Sequence, residues 1–400
     1  MPRESEGQFM SFPIDQEKWA RVRRAMDEKS LSALVVRAPD NILYLTNYWT
    51  MKGYDIAIFP REGEPILIVV EPQFREAQRT AWNKDVRYFN FYHPTDPRPP
   101  TARALDMCLE VLREKKLTER VGVELSQGSQ ICDRMVGEPT LPTQGYFDAF
   151  LGVAKEIVDA TPILADLRMI KTSQEIERMR LANELAAIGM AYARKNMRPG
   201  MKESEIAAMI ECHIHSVGIG YRDKVAMARA FTLVWSGKGI ATFTATSNRP
   251  VQEHEPTLVE LWVCADGYWT DLTKNICPGT LTPEYTKLLE LLLSVFKEAT
   301  GVVRDGAPLG EIDRVIRARI DEAGYAGQPS HPVAHGVGAR AHEPPYSHKA
   351  VADTMKKNMV LAIEPGIYWE GGGGLRLEDN FLVTENGSEK LCTDPDDFRT

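Results

Sequence analysis

The sequence predicts an α+β protein in two parts. A smaller N-terminal α/β domain, residues 1–167, precedes a domain, residues 168–400, in which helices cover one face of a curved antiparallel sheet with approximate twofold symmetry. Three observations carry this. Helical and strand-like segments alternate from Asp15 to about Leu167; two stretches offset by 106 residues repeat one helix-turn-helix pattern; and VELWVCADGYWTDLTKN (259–275) reads as a hairpin turning at Asp266-Gly267.

In chain order, Asp15 to Lys29 has the spacing of an amphipathic helix and Ser32 to Val36 that of a short buried strand. Asp40-Asn41 is expected to cap a further helical turn. Strands at Asp55–Phe59 and Pro65–Val70 flank the turn Arg61–Glu64, and a helix at Ala102–Lys116 leads to a strand at Arg120–Glu124. The proline-rich stretch Pro94–Pro100 reads as a surface loop over a groove or a subunit contact. His93, the only histidine before residue 213, reads as plain surface. Near Ala165 the register changes. Thr172 with Glu175 forms a capping box, and Ile176, Met179, Ala182, Ala186 and Met190 keep helical spacing after it, which puts the domain boundary just before this helix. The repeat follows: MRPGMKESEI (197–206) and VRDGAPLGEI (303–312) each end a helix, turn at Gly200 or Gly306, and start a second helix near Ile206 or Ile312 that ends at Gly218 or Gly324.

Composition narrows the function. With 43% hydrophobic and 26% charged residues the chain is ordinary globular protein, and no apolar run approaches the roughly 18 residues of a membrane span. The net charge of -8, without a basic stripe, argues against a nucleic-acid partner. The polar N-terminus lacks the apolar core of a signal peptide. Six cysteines without CxxC spacing read as free thiols, and a cytoplasmic location is the expectation.

The hairpin brings Glu260 and Asp271 toward one cavity, where two carboxylates repel unless a cation joins them. More candidates lie in the second half-repeat. SHPVAHGVGARAHEPPY holds His335 and His342, with Gly336 and Gly338 allowing close backbone packing; LAIEPGIYW carries Glu364; and GLRLEDNFLV carries Glu378. Acids on apolar strands are costly unless paired or metal-bound. Oxygen ligands plus an imidazole suit manganese, cobalt, iron or zinc in a paired site, whose ions lower the pKa of a bridging water toward about 7 and make a hydroxide nucleophile. Each residue alone also has a plain structural reading: His335 as a satisfied core histidine, Asp271 as a hairpin acceptor, Glu378 as an ion-pair partner of Arg376. Trp262, Tyr268 and Trp269 read as core and rim packing, and Tyr221, His213 and His215 as structural.

The order of these motifs resembles the pita-bread metallopeptidase family, which includes prolidase, Xaa-Pro aminopeptidase and methionine aminopeptidase, with creatinase and ectoine hydrolase as relatives. The match spans nearly the whole chain: LRMIKTSQEIERMR, GYWTDLTKN, HGVGARAHEPPY, IEPGIY and LRLED. The resemblance implies a metal-dependent hydrolase of a C–N bond in a dipeptide, Xaa-Pro included, or a small amide. It implies two divalent ions held by Asp271, His335, Glu364 and Glu378, with Glu260 at the remaining ligand position. Glu364 doubles as general base, His342 touches the substrate or intermediate, and Arg376 supports the carboxylates. Arg340 either recognises a substrate carboxylate through its fork or faces solvent. The resemblance further implies a homodimer in which one N-terminal domain closes over the other subunit's site, with residues 94–100, Tyr44, Tyr48 and Trp49 as the candidate contact. Two departures stand out. The peptidases carry Asp-x-Gly where this chain has Glu260-Leu261-Trp262, and a histidine where it has Phe243 between Thr242 and Thr244; His254 in VQEHEP lies too late to substitute. They keep open a metal-independent reaction like that of creatinase or ectoine hydrolase, and a third reading as a catalytically idle binding protein.

Overall fold

The computed structural model describes residues 12–50, 53–125, 144–240, 244–369 and 373–399; Thr242, Phe243 and Cys132 lie outside them. Two compact units emerge, Ser11–Arg168 and Met169–Thr400.

The first unit contains α1 (Gln16–Glu28), β1 (Ala33–Val36), α2 (Pro39–Thr46), β2 (Ile56–Pro60), β3 (Ile66–Val70), α3 (Phe74–Thr80), β4 (Asp85–Phe89), α4 (Pro100–Glu114), β5 (Arg120–Val123), α5 (Gln144–Leu151), β6 (Glu156–Asp159) and α6 (Thr161–Met169). Its six strands run in the order β4-β3-β2-β1-β5-β6, antiparallel within β1-β2-β3 and parallel elsewhere. Because strand side chains alternate in direction, the central strands are apolar on both faces. Val35 and Ile58 pack with Cys108 and Phe150 of α4 and α5. Leu34 and Phe59 pack on the opposite face with Trp19 and Met26 of α1. Two expectations are corrected here. Asp40 and Asn41 are not caps: Pro39 opens α2, and both side chains instead take the buried Arg168 guanidinium. Tyr44 and Tyr48 are core residues, with Tyr44 Oη donating to the Leu167 carbonyl, so neither is free for a subunit contact.

The second unit contains α7 (Ser173–Asn196), α8 (Glu203–Gly218), β7 (Ala228–Ser236), β8 (Thr257–Ala265), β9 (Tyr268–Trp269), β10 (Leu272–Ile276), α9 (Pro283–Gly301), α10 (Gly310–Glu322), β11 (Ala334–Gly336), β12 (Glu343–Tyr346), β13 (Val360–Ile363), β14 (Gly366–Trp369), β15 (Gly373–Arg376), β16 (Asp379–Val383) and β17 (Ser388–Lys390). All strand pairs are antiparallel, in the orders β10-β8-β7 with β9 on β8, β12-β11-β13-β16-β17, and β14-β15. Thr172 and Glu175 form the capping box that starts α7. Asp266 and Gly267 both have positive φ, 46° and 88°, as a two-residue type I′ turn requires.

The repeat is visible in the backbone hydrogen bonds. In the first half Gly200 N–H reaches the Val251 carbonyl (2.8 Å), Val251 N–H reaches Met201 (2.8 Å) and Glu203 N–H reaches Arg249 (3.0 Å). In the second half Gly306 N–H reaches Met355 (2.9 Å), Met355 N–H reaches Ala307 (2.8 Å) and Leu309 N–H reaches Asp353 (2.9 Å). The two half-sheets are then stitched by side chains. Asn380 Oδ1 accepts the Asp271 N–H (3.1 Å) while its Nδ2 donates to the Asp271 carbonyl (2.6 Å), and Asn275 Nδ2 donates to the Arg376 carbonyl (2.8 Å).

Candidate metal centre

That seam is where the acids collect. Glu260 sits within β8, opposite Thr273 of β10 and Leu233 of β7. Asp271 falls in the break between β9 and β10 rather than on a strand, Glu364 directly follows β13, and Glu378 lies between β15 and β16. Strand ends leave the backbone free to bend, which lets side chains from separate strands point to one place. His335 lies in the middle of β11, where its neighbour Gly336 passes so near the Glu343 and Pro344 carbonyls that a Cβ would collide with them.

Three overlapping groups result: Asp271, His335 and His342; His335, Glu364 and Glu378; and Glu260, Asp271 and Glu378, the donor atoms of each lying within 4.8 Å of one another. His335 Nε2 is 3.4 Å from Asp271 Oδ2 and 3.7 Å from Glu364 Oε1. His342 Nε2 approaches Asp271 Oδ2 to 3.1 Å. Asp271, His335, Arg376 and Glu378 form the buried floor, whereas the side chains of Glu260 (15%), Glu364 (12%) and His342 (24%) retain exposure and mark the open side.

Among the described residues, Arg376 is the cation of the cluster. Its guanidinium is 2.7 Å from Glu260 Oε2 and 3.8 Å from Glu378 Oε2, and its Nε donates to Thr273 Oγ1 (2.7 Å), which donates to Glu378 Oε2 (2.8 Å). One guanidinium does not balance four carboxylates. Burial, then the Glu378 and Glu260 charges, pushes the Asp271 carboxyl well above the usual range; burial and then Glu378 do the same to Glu364. Burial also raises Glu378 against the pull of Arg376, and holds the His335 imidazole neutral. His335 Nδ1 lies 3.0 Å from the Gly336 carbonyl; donation there fixes the tautomer that leaves the Nε2 lone pair facing the acids. That Nε2 and both Asp271 oxygens are buried without a well-formed hydrogen bond among the described residues, the Trp262 indole and His342 being the polar groups set beside Asp271, and native interiors avoid such a state. A cation coordinated by these atoms would relieve both the repulsion and the unmet acceptors. Carboxylates with imidazole suit manganese, iron, cobalt or zinc.

Two further residues join the cluster that motif reading did not single out. His331 Nδ1 is 3.3 Å from Glu364 Oε2, and its Nε2 is 3.2 Å from Tyr368 Oη, which also receives Arg376 NH1 at 3.4 Å. The available signal was spacing: His331 stands four before His335, and Tyr368 four after Glu364. Arg340 is half-buried in the turn before His342, where its carbonyl accepts the Gly338 N–H (2.9 Å). His254 is engaged elsewhere, its Nδ1 2.7 Å from the Thr280 carbonyl, and belongs to none of the three groups.

An acid-rich, histidine-bearing cluster on the seam of a twice-repeated antiparallel sheet has the make-up of a metal-dependent hydrolase. The sequence profile of metallopeptidase family M24 matches residues 177–385, and that of the creatinase/prolidase N-terminal domain matches residues 18–170. The chain belongs to metallopeptidase family M24. It is similar to the putative dipeptidase YkvY of Bacillus subtilis, at 26% identity over 94% of this chain and 98% of that protein. It is also similar to the Xaa-Pro dipeptidase of Pyrococcus furiosus, at 26% identity over 94% and 97% of the two chains. Among solved structures, the prolidase of Pyrococcus horikoshii shares the pita-bread fold, with a TM-score of 0.77 at 24% identity over 96% of this chain and 100% of that one.

Proposed function

We propose that the protein hydrolyses the C–N bond of a dipeptide, Xaa-Pro foremost, with two divalent ions held by Glu260, Asp271, His335, Glu364 and Glu378. The observation that carries this reading is the trio of buried acceptors without a well-formed hydrogen bond, the two Asp271 oxygens and His335 Nε2, among three further acids. The name of the Pyrococcus furiosus relative supports the substrate class. When bound, the ions supply a Lewis acid for the scissile carbonyl and an activated water nucleophile. Glu364, on the open side and 3.3 Å from His331, takes the proton of the water and returns it to the leaving nitrogen. His342, the most exposed member, faces the substrate and donates to the oxygen on which charge develops. Arg376 steadies Glu260 and Glu378, and Arg340, in the turn before His342, is a substrate contact. Manganese, cobalt, zinc and iron all fit the donors.

The wider assignment follows the same reading: residues 1–167 as the N-terminal domain, residues 168–400 as the catalytic one, and a homodimer in the cytoplasm. No described helix is long and apolar enough to cross a membrane, and the five described cysteines are free thiols, as a reducing compartment keeps them. One observation favours a second reading, a metal-independent hydrolase like creatinase or ectoine hydrolase: Arg376 at 2.7 Å partly neutralises Glu260 without any ion. Metal content and Xaa-Pro hydrolysis, measured before and after chelation, decide. The first reading expects activity to vanish with the metal and return with Mn(II) or Co(II); activity indifferent to chelation sinks it in favour of the second.

A further inference from the structure

The place where this chain leaves the Asp-x-Gly pattern holds a bulky side chain beside the cluster. Trp262 lies two residues beyond Glu260 on β8, so both point to the same face, about 7 Å apart. The register pairs Trp262 with Phe231, Glu260 with Leu233, and Leu258 with Trp235. This face is turned away from the helices. A Cβ on Gly218 of α8 would meet the Ala228 side chain, which puts the even-numbered residues of β7 under α8 and Phe231, Leu233 and Trp235 on the opposite side. Glu260 is thus one carboxylate in an otherwise apolar strip.

The strip has two different ends. Beyond Leu258, Trp235 and Ile240 pack with Tyr368, which sits within reach of Arg376 and His331. Beyond Glu260 in the other direction, the Trp262 ring stands 5.7 Å from Phe231 and 6.3 Å from the His342 ring, centroid to centroid. Phe231 is 36% exposed, an uncovered aromatic beside the open side of the cluster. The donors and positive charge at the Arg376–Tyr368 end suit the carboxylate of a dipeptide. The apolar end suits the other residue's side chain.

We infer that Trp262 and Phe231 wall a subsite for a large apolar side chain on the residue that supplies the scissile carbonyl. The inference rests on the dipeptidase reading and deepens it. It makes the enzyme selective for leucine- or phenylalanine-type residues before the scissile bond, and makes Trp262 a specificity-determining residue. A side chain that gains this burial favours its dipeptide over the glycine analogue by roughly ten- to a hundredfold.

The test uses the full-length, metal-loaded protein with Gly-Pro, Ala-Pro, Leu-Pro and Phe-Pro. Leu-Pro and Phe-Pro are expected to exceed Gly-Pro in kcat/KM by roughly tenfold or more, mainly through KM. In Trp262→Ala that ratio falls to within about threefold of unity, while Trp262→Phe keeps most of it. An unchanged ratio overturns the inference. So does a ratio that rises in Trp262→Ala, because Trp262 would then be blocking large side chains. Phe231→Ala, at a more exposed position, repeats the comparison if Trp262→Ala does not fold. A binding measurement separates this inference from the reading beneath it. If no Xaa-Pro dipeptide is hydrolysed, the dipeptidase reading falls, and calorimetry with free L-phenylalanine and glycine still judges the subsite. Phenylalanine binding at least tenfold tighter, with the difference lost in Trp262→Ala, upholds it; equal affinities overturn it.

Discussion

At Asp271 the demands of stability and function oppose each other. Its buried oxygens face Glu378 and Glu260 without a well-formed hydrogen bond, so the protein carries a repulsion that a bound cation would relieve. Asp271→Asn keeps the shape and removes one acid. It is expected to raise metal-free stability by about 1–2 kcal/mol, seen as a higher melting temperature in chelator, while retained metal and activity collapse; a lower melting temperature would contradict the repulsion argument. Asp55, remote in sequence, tests the same physics in the first unit. Thr50 Oγ1 and the Val70 N–H donate to its carboxylate, yet burial prevails and pushes it up to about 7 from its ordinary 3.8. The folded state therefore holds this proton where the unfolded chain has released it. Its contribution to stability is fully present below about pH 4, is lost as pH rises toward 7, and then levels, a difference on the order of a few kcal/mol. Denaturant midpoints followed from pH 5 to 8 should show this decline in the wild type and a shallower one in Asp55→Asn. Lys171 and Glu343, 2.7 Å apart and both buried, pose the opposite case of a satisfied pair. Glu343 follows His342 directly and its carboxylate fills the space beside Gly338, so Lys171→Met takes a buried cation away from a buried acid next to the loop that carries His342. A loss of about 3–5 kcal/mol in chemical unfolding is expected.

Among the elements, those written in local chemistry were legible and those completed by distant partners were not. The Asp266-Gly267 turn, the Thr172–Glu175 box and the two glycine turns are short-range devices, and all recur in the structure. α3, β4 and β6 escaped notice because they are marginal elements: β4 and β6 lie at the sheet edges, their residues mostly half-buried, and lack the apolar run that marks β1 to β3. Asp40 and Asn41 misled because a cap and an ion-pair partner for a residue 128 positions away look alike in sequence. For the site, chain order singled out the acids and histidines, but His331 and Tyr368 acquire meaning only when β11, β13 and β14 fold together. The repeat yields a prediction of its own. Gly200 and Gly306 have φ of 87° and 75° with open space where a Cβ would go, so alanine at either meets only the backbone penalty. Gly200→Ala and Gly306→Ala should each destabilise by about 1–2 kcal/mol, alike within error and additive in the double variant. Unequal costs in denaturant titrations would mean that the two turns are not equivalent.

For the molecule as a whole, the cluster divides between the half-repeats. Glu260 and Asp271 come from the first half; His335, Glu364 and Glu378 come from the second. The Asn380 clamp on the Asp271 backbone and the Thr273 bond to Glu378 join the halves, but in the metal-free protein they do so across mutually repelling acids. An ion ligated from both sides turns that repulsion into a crosslink, and opening either half then requires releasing it. At a hundred times its Kd, an ion stabilises the bound form by about 2.7 kcal/mol, which corresponds to roughly hundredfold slower exchange of amides that open with the site. Hydrogen exchange with and without Mn(II) should therefore show added protection in β8 and β10 of the first half together with β11, β13 and β16 of the second. The core strands β1, β2 and β3 of the Ser11–Arg168 unit, which contribute none of the five proposed ligands, should exchange at the same rates in both conditions. Protection confined to one half-repeat would place the ion on one side of the seam and remove Glu260 and Asp271, or else His335, Glu364 and Glu378, from the proposed ligands.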